Sequence, residues 1–301
     1  MIEVNGVLAL VIAAIGWSTG GLFMKCIDAS SLTIAGLRSI VAFIGLLVLT
    51  RKLPVFVVRQ ETPNEEKSAV DKRATFNLWA SAISYSATMI MFCFANKMTY
   101  AANAILLQYT APIYVVILSP LLLGEKNSKL DYFSVIGVIA GMILFFADNL
   151  FGKKDNVPPQ VFWGNIIAIL SGVTFALSTV FLRRCRGNTS KSSFVLAQLI
   201  TFIICIPFVV KEGLLDVRSI IFVILLGVVQ MTLPNYFYAI GINKVRALSA
   251  ILISMLEPLM NPVWVAIFAH ELPTANCVIG GIIILLFVVG NDVLRVAKAR
   301  R

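Results

Sequence analysis

The chain has 301 residues, of which 59% are hydrophobic and only 13% are charged, and its formal net charge is +10. A soluble globular domain carries about 25% charged residues, so this composition excludes an ordinary soluble enzyme or binding domain. The positive charge does not indicate nucleic-acid binding, because almost all Lys and Arg residues lie in short gaps between long apolar runs, as in the cytoplasmic loops of membrane proteins.

The apolar runs are continuous and long enough to cross a bilayer as helices, which takes about 20 residues. A helix pairs all of its backbone polar groups internally, as lipid requires, and a β-barrel would instead show short segments of alternating polarity. The sequence therefore predicts an all-α membrane protein. Ten spans are predicted, at 5–27, 32–50, 76–95, 102–123, 132–148, 161–182, 193–210, 219–240, 248–269 and 276–294.

The first two spans contain a glycine-rich stretch and a single cation. In span one, Trp17 lies between Gly16 and Gly20, which form a face of small residues suited to close helix packing. Trp17 is a candidate binding residue at mid-depth. In span two, Arg38 is interpreted as a structural or gating cation rather than as a ligand anchor. The polar stretch 51–75 that follows is expected to be a mobile, solvated loop.

Spans three and four supply three further candidate binding residues. Tyr85 shares a helical face with Met89 and Cys93, and it faces either a cavity or the core. In span four the candidates are Gln108 and Tyr109. A Gln at this depth faces water or bonds another helix, and both readings stay open.

The second half begins after a break near 153–160, where Pro158 and Pro159 stop any helix. Span eight offers Gln230 and Asn235 as candidate binding residues around Pro234. The prolines of spans four, eight and nine (Pro112, Pro234, Pro258 and Pro262) are expected to open their helices locally, and such backbone is tolerated only where it is buried or lines a cavity.

Glu257 is the most informative residue of the chain. It lies about nine residues into span nine, near the middle of the bilayer at about 1.5 Å per residue, where an acid costs about 2.5–3.5 kcal/mol. We therefore expect it to face a wet cavity or a partner. In the functional interpretation it is a proton-coupling group or a contact for a substrate amine. In the structural interpretation it is an acid that caps the broken backbone before Pro258. Asn261 and Trp264 share its face and complete the candidate site.

A duplicated pattern divides the chain. The segment from Pro112 to Glu125 and the segment from Pro258 to Glu271 both place an acid 13 residues after a proline, at an offset of 146 residues. We predict two five-span repeats, at 1–150 and 161–301, joined by a loop at 151–160. Because five is odd, the second repeat inserts upside down relative to the first.

The positive-inside rule orients the chain. With the N-terminus in the cytoplasm, 18 Lys and Arg residues fall in predicted inside loops against 6 outside, and Arg38 lies within a span. Both termini are therefore expected to be cytoplasmic.

The sequence does not predict catalysis or a cofactor. It has no hydrolase triad, zinc-protease motif or phosphate-binding loop, and its single His, His270, could not supply a His-based metal site. The five Cys lie in or at the ends of apolar runs without a CxxC pair, and they are expected to be packing residues. We expect no enzyme activity, no cofactor and no metal.

These motifs resemble the drug/metabolite transporter superfamily, EamA type. The resemblance rests on Trp17-Ser18 in span one, Arg38 in span two, the run from Asn103-Ala104-Ile105 to Pro112 and Gly124-Glu125, and the second copy Ala247–Leu252, Leu256-Glu257-Pro258 and His270-Glu271. It covers about 5–147 and 161–292. His270 stands where the family usually has Gly. The family implies ten helices, a central cavity between the halves and alternating access.

The sequence thus predicts a secondary transporter in a bacterial inner membrane. The expected cargo is a small polar or amphipathic metabolite, with export of an amino acid or related compound as the leading hypothesis. Nucleotide-sugar or other metabolite import, and a channel, stay as alternatives. Coupling to protons and a homodimer are open, and no nucleic-acid partner is expected. Because Glu257 and Arg38 are the deep charges, a neutral, zwitterionic or cationic substrate is favoured over a multiply charged anion.

Overall fold

The structure, a computed structural model, describes residues 5–24, 26–59, 70–151, 158–269 and 274–299. The helices are α1 (Gly6–Ser18), α2 (Gly20–Met24), α3 (Ser31–Thr50), α4 (Lys72–Met98), α5 (Ala101–Gln108), α6 (Ala111–Leu118), α7 (Lys129–Phe145), α8 (Ala147–Phe151), α9 (Gln160–Arg184), α10 (Asn188–Glu212), α11 (Val217–Leu225), α12 (Leu233–Gly241), α13 (Ala247–Ser254), α14 (Leu256–Ala269) and α15 (Ala275–Ala299). Two π-helical turns cover Ser119–Leu123 and Leu226–Thr232.

Several helices begin where the sequence supplies a capping side chain. Asn5, Ser30, Asp71 and Asp216 each accept a backbone N–H from the first turn of the helix that follows. A cap of this kind satisfies one of the four free N–H groups at a helix start. These polar residues therefore mark where apolar helices begin.

Helical structure covers each of the ten predicted spans. Within the described residues, seven helical stretches are long and apolar enough to cross a membrane: Gly6–Met24, Ser31–Thr50, Lys72–Met98, Ala102–Leu123, Gln160–Arg184, Asn188–Glu212 and Val217–Gly241. Ala247–Met260 and Ala275–Asn291 are shorter apolar stretches, and α7 has 17 residues. The chain is thus a helical membrane protein, while the count of ten crossings and the side of the termini stay predictions.

Two spans are interrupted at equivalent positions. The break between α5 and α6 falls at Tyr109 and Thr110, and the break between α13 and α14 falls at Met255. Each break lies just ahead of a proline, Pro112 or Pro258, whose ring removes a backbone donor. Span eight changes to a π-helical turn before Pro234. Pro262 does not open its helix, because α14 runs on through it.

The core lies where helices from the two predicted halves meet. The most extensive packing joins α4 to α9, α3 to α10, α7 to α15 and α1 to α12. The first helix begins beside the second half, since a Cβ added at Gly6 would lie 2.6 Å from Lys244 Cβ. The predicted halves therefore interlock along most of their length.

The two ends of the stretch 51–75, which was expected to be a mobile loop, make specific contacts with each other and with α4. Val58 N–H bonds Thr75 Oγ1 at 2.9 Å, and Trp79 Nε1 bonds the Phe56 carbonyl at 2.9 Å. Arg59 and Val70 form an isolated antiparallel bridge. Residues 53–59 thus fold back onto the start of α4, and 60–69 lie outside the described residues.

The glycines of α7 and α15 pack these two helices against each other. A Cβ at Gly280 would meet the backbone nitrogen of Phe145 and lie 2.7 Å from the Gly141 carbonyl oxygen, whereas at Gly281 the nearest atom is Leu259 Cδ2 at 3.7 Å. We expect Gly280→Ala to destabilise the protein by about 1–3 kcal/mol, because backbone must move. Gly281→Ala, its neighbour, should change stability by less than about 1 kcal/mol.

Thermal unfolding of the two variants in detergent checks this expectation. A lower melting temperature for Gly280→Ala alone supports close packing of α7 on α15. Equal melting temperatures for both variants would contradict it.

Candidate functional site

A cavity of about 380 Å³ lies between the predicted halves, a volume within the range of about 300–1,000 Å³ typical of small-molecule sites. Its walls come from α1–α5, α9, the second π-helical turn and α14. Ser31 at the start of α3 and Asn96 near the end of α4 extend it toward one end of the helices. The lining residues are Trp17, Ser18, Gly20, Met24, Ser31, Arg38, Tyr85, Thr88, Met89, Phe92, Cys93, Asn96, Ile105, Gln108, Tyr109, Phe175, Gln230, Met231, Glu257 and Pro258.

Arg38 supplies a positive charge to the cavity wall. Its side chain is buried, at 4% exposure. The Nη1 group donates to Gln230 Oε1 at 3.0 Å, and Nη2 lies 3.9 Å from Met89 Sδ. Nε has no hydrogen-bond partner among the described atoms. Both contacts are to neutral groups, so among the described residues the positive charge is not compensated by an acid at bonding distance.

Glu257 supplies a negative charge to the same cavity. It is half-buried and lies in the first turn of α14, where the helix dipole favours an anion. Tyr109 donates its hydroxyl to Glu257 Oε2 at 2.6 Å, and the same hydroxyl lies 3.5 Å from the Ser254 carbonyl. Tyr109 sits in the first helix break and Glu257 follows the second. One hydrogen bond therefore joins the two interrupted spans, four and nine.

Asn235 fixes two of the aromatic walls. Its Oδ1 accepts from Trp17 Nε1 at 3.3 Å and from Tyr85 OH at 2.9 Å. Asn235 itself is fully buried and does not line the cavity. Behind Trp17, the ring of Tyr238 packs at a centroid distance of 5.0 Å. Asn235 thus orients cavity residues that come from α1 and α4.

Gln230 reaches Arg38 because α2 leaves room for it. A Cβ at Gly20 would collide with the Gln230 side-chain amide. A Cβ at Gly16 would likewise collide with the Pro234 side chain. The small-residue face predicted in span one therefore packs against the predicted second half.

The structure brings together six of the nine residues expected to bind substrate. These six line the cavity: Trp17, Tyr85, Gln108, Tyr109, Gln230 and Glu257. Asn235 stands behind the wall, and Trp264 donates its Nε1 to Ser18 Oγ, a lining residue, at 2.8 Å. The side chain of Asn261 lies outside the described part of the chain, as do His270 and Glu271.

Sequence reasoning missed part of the wall. Arg38 lines the cavity although its position suggested a structural or gating role. Thr88, Phe92 and Asn96 also line it, and they extend the helical face that begins at Tyr85. The three- and four-residue spacing along α4 was the signal that could have identified them.

Four charged residues close the opposite end of the helices, and we call them the ion-pair cluster: Glu125, Asp131, Arg183 and Arg246. Arg246 Nη1 lies 3.2 Å from Asp131 Oδ2, and its Nε lies 3.7 Å from Glu125 Oε2. Arg183 Nε lies 3.4 Å from Glu125 Oε1. Glu125 Oε2 also accepts the Ala247 N–H at 3.2 Å. The cluster thus ties residues before and within α7 to α9 and α13.

A packed layer separates the cavity from the ion-pair cluster. Helix α13 starts beside Glu125 and ends beside Tyr109, and all eight of its residues are buried. Asp131 is fully buried as well. The cavity is therefore closed toward this end by apolar packing and by charge pairs.

The described residues do not form a metal site, since His, Cys, Asp and Glu side chains do not gather there in groups of three or more suited to an ion. The site is built instead from two opposite charges, amides, hydroxyls and aromatic rings.

Comparison with known proteins gives consistent matches over almost the whole chain. The model of the EamA-like transporter family matches residues 4–147 and 162–291. An uncharacterised transporter of Archaeoglobus fulgidus is 24% identical over 281 residues, covering 93% of each chain. A pseudopaline exporter of Pseudomonas aeruginosa is 21% identical over 288 residues, covering 94% of each. A crystal structure with 19% identity superposes with a TM-score of 0.74 over 98% of both chains, which shows a shared fold.

Proposed function

The chain belongs to the EamA-like transporter family, and from that premise we propose that it moves a small polar or amphipathic metabolite by alternating access. Membership makes it a multi-pass membrane transporter of the drug/metabolite transporter superfamily and not an enzyme. The proposal concerns what it carries, in which direction and by what coupling.

The observation that carries the proposal is a cavity that α13 and the ion-pair cluster separate from one end of the helices. Its wall extends to Ser31 and Asn96, while α13 and the ion-pair cluster close the other end. A carrier exposes its site to one side at a time, so one closed end is expected in each state. A channel would need polar groups along a continuous pore, and α13 interrupts such a path.

The orientation follows from charge. Arg183 and Arg246 of the ion-pair cluster belong to loops predicted to be cytoplasmic. With that orientation the cavity opens to the outside, and the ion-pair cluster is an inner gate. The contact pairs support two inverted repeats, at 1–150 and 161–301, because α4 packs on α9 as α1 packs on α12.

The cargo is an amino acid or related compound, and the direction is export. The relative in Pseudomonas aeruginosa is named as an exporter, and the cavity has the volume of a small-molecule site. A single Arg favours a singly charged or zwitterionic solute over a nucleotide sugar, whose phosphates would call for several cations. The membrane is the bacterial inner membrane, and Glu257 couples export to protons.

A counter-flow assay with purified protein in liposomes tests the proposed function. Liposomes loaded with unlabelled solutes from an amino-acid and amine library are diluted into the labelled solute. Saturable uptake that depends on a loaded partner solute is the expected result, because a carrier exchanges its cargo. Flux that rises linearly with concentration and ignores the loaded solute would indicate a channel and overturn the proposal.

A topology assay serves as an independent control on the orientation. Reporter tags at the two chain ends should both report the cytoplasm. Tags on opposite sides of the membrane would contradict the inverted repeats and the inner position of the ion-pair cluster.

A further inference from the structure

Two opposite charges face one cavity without pairing with each other. Arg38 and Glu257 both line it, and the ion pairs found among the described residues all lie in the ion-pair cluster instead. Two charges in a confined space normally pair, since the low dielectric makes their attraction strong. Because they do not pair, each of the two charges is available to another group.

The surroundings of Arg38 hold the guanidinium without neutralising it. Gln230 and Met89 contact its two terminal nitrogens, and Nε is buried without a partner among the described atoms. The side chain is thus fixed in place by neutral groups. A carboxylate fits the fork of an Arg, because it accepts two parallel hydrogen bonds.

The surroundings of Glu257 hold the carboxylate in a similar way. Tyr109 donates one short hydrogen bond to Oε2, and the first turn of α14 favours negative charge. The described residues within bonding distance of the carboxylate do not include a cation. A primary ammonium group supplies the charge and the donors that this carboxylate lacks.

The remaining wall is suited to an apolar body. Besides the two tyrosines, it includes three aromatic rings and three thioethers: Trp17, Phe92, Phe175, Met24, Met89 and Met231. Thioethers adapt to irregular shapes and contact aromatic groups favourably. The site therefore combines two charged poles with an apolar, adaptable lining.

We propose that Arg38 binds the carboxylate and Glu257 the ammonium of one zwitterionic ligand, an α-amino acid with an apolar side chain. This assignment rests on the proposed transport function. A buried charge is costly when it has no partner, and a zwitterion supplies both partners at once while adding no net charge to the cavity.

Three probes that share one side chain separate the roles of the two charges. L-phenylalanine carries both charges, its methyl ester lacks the carboxylate, and N-acetyl-L-phenylalanine lacks the ammonium. Calorimetric binding to the purified protein should give a dissociation constant for L-phenylalanine at least about tenfold lower than for either derivative, the loss expected when a charged group loses its partner.

Two variants that each remove one charge then test the two preferences separately. In Glu257→Gln, the dissociation constant of the N-acetyl derivative divided by that of phenylalanine should fall close to one. The same ratio for the methyl ester should stay as in wild type. Arg38→Met should do the reverse. Each ratio is internal to one variant, so a partly inactive preparation does not alter it. Arg186→Met, the same substitution at an exposed Arg that does not line the cavity, is the matched control and should leave both ratios unchanged.

The outcomes are distinguishable from failure of the proposed function. The assignment of Arg38 to the carboxylate and Glu257 to the ammonium is overturned in two cases. Either the N-acetyl ratio changes in Arg38→Met and the ester ratio in Glu257→Gln, or neither ratio changes in either variant. If Arg38→Met does not fold, the N-acetyl ratio in Glu257→Gln decides. A wild-type protein that binds none of the probes but exchanges another solute in the counter-flow assay also overturns the assignment and leaves transport standing. Absence of saturable exchange with every solute overturns transport itself.

Discussion

Replacing Arg246 with Met is expected to shift the protein toward a state whose cavity opens on the opposite side. Arg246 contacts Asp131 and Glu125, and its Nη2 donates to the Lys126 carbonyl at 2.8 Å. These contacts exist only while the ion-pair cluster is closed. Removing one partner of a buried pair costs about 3–5 kcal/mol, and this cost falls on the closed arrangement alone.

The size of the shift depends on how buried the pair is. The Asp131 side chain is fully buried, whereas that of Arg246 is 23% exposed, so solvent screens part of the interaction. Even about 1.4 kcal/mol would change the ratio of the two states tenfold. We therefore expect at least about a tenfold fall in the ratio of outward-open to inward-open protein.

Labelling of Cys93 measures this population. Cys93 lines the cavity, and an impermeant thiol reagent added from outside reaches it only when the cavity opens there. Cys26 and Cys277 are half-exposed, and both are first changed to Ser. The labelling rate of Arg246→Met should fall in proportion to the outward-open fraction, by about fivefold where the two states start out equally populated.

Arg186→Met is the matched control for this experiment. Arg186 is an exposed Arg at the same end of the protein, and it takes no part in the ion-pair cluster. Its replacement should leave the labelling rate unchanged. If Arg246→Met folds and labels at the rate of Arg186→Met, the ion-pair cluster is not a gate.

Replacing Glu257 with Gln is expected to abolish transport driven by a pH gradient. Glu257 is the acid of the described cavity wall, and Gln keeps its size and the acceptor for Tyr109 but cannot exchange a proton. Uphill accumulation in liposomes should be lost. Exchange at saturating substrate should persist with a half-saturation concentration at least about tenfold higher, because the ammonium loses a charged partner.

Tyr109→Phe tests the contribution of the hydrogen bond separately from that of the carboxylate. This variant removes the donor at 2.6 Å from Oε2 and leaves the titratable group in place. It should therefore keep a pH-dependent flux. Flux in Glu257→Gln that still follows the pH gradient as in wild type would refute proton coupling through this residue.

The deep residues of this site could be identified from the sequence because membranes penalise them. A carboxylate such as Glu257 at mid-span needs a cavity or a partner, and the prolines near Tyr109 and Met255 indicated open backbone. These one-dimensional signals were enough to indicate a central cavity and most of its polar wall.

Other features depend on contacts that only the folded chain provides. Asn235 resembled a binding residue, since its position within a span gives its depth but not whether it faces the cavity or the layer behind. The ion-pair cluster joins Glu125, Asp131, Arg183 and Arg246 across up to 121 positions of sequence. Their charges predicted a cytoplasmic location for the loops, but opposite charges in separate loops do not reveal which of them pair.

The short helices α6 and α13 connect the cavity to the ion-pair cluster. Each spans eight residues, about 12 Å, and they pack against each other. One end of the pair holds the Tyr109–Glu257 bond, and the other leads to Glu125 and to Arg246. Under the proposed function, a ligand that moves Glu257 also moves α13, and we expect this motion to reach Arg246 and the ion-pair cluster directly, because one buried eight-residue helix joins the two sites.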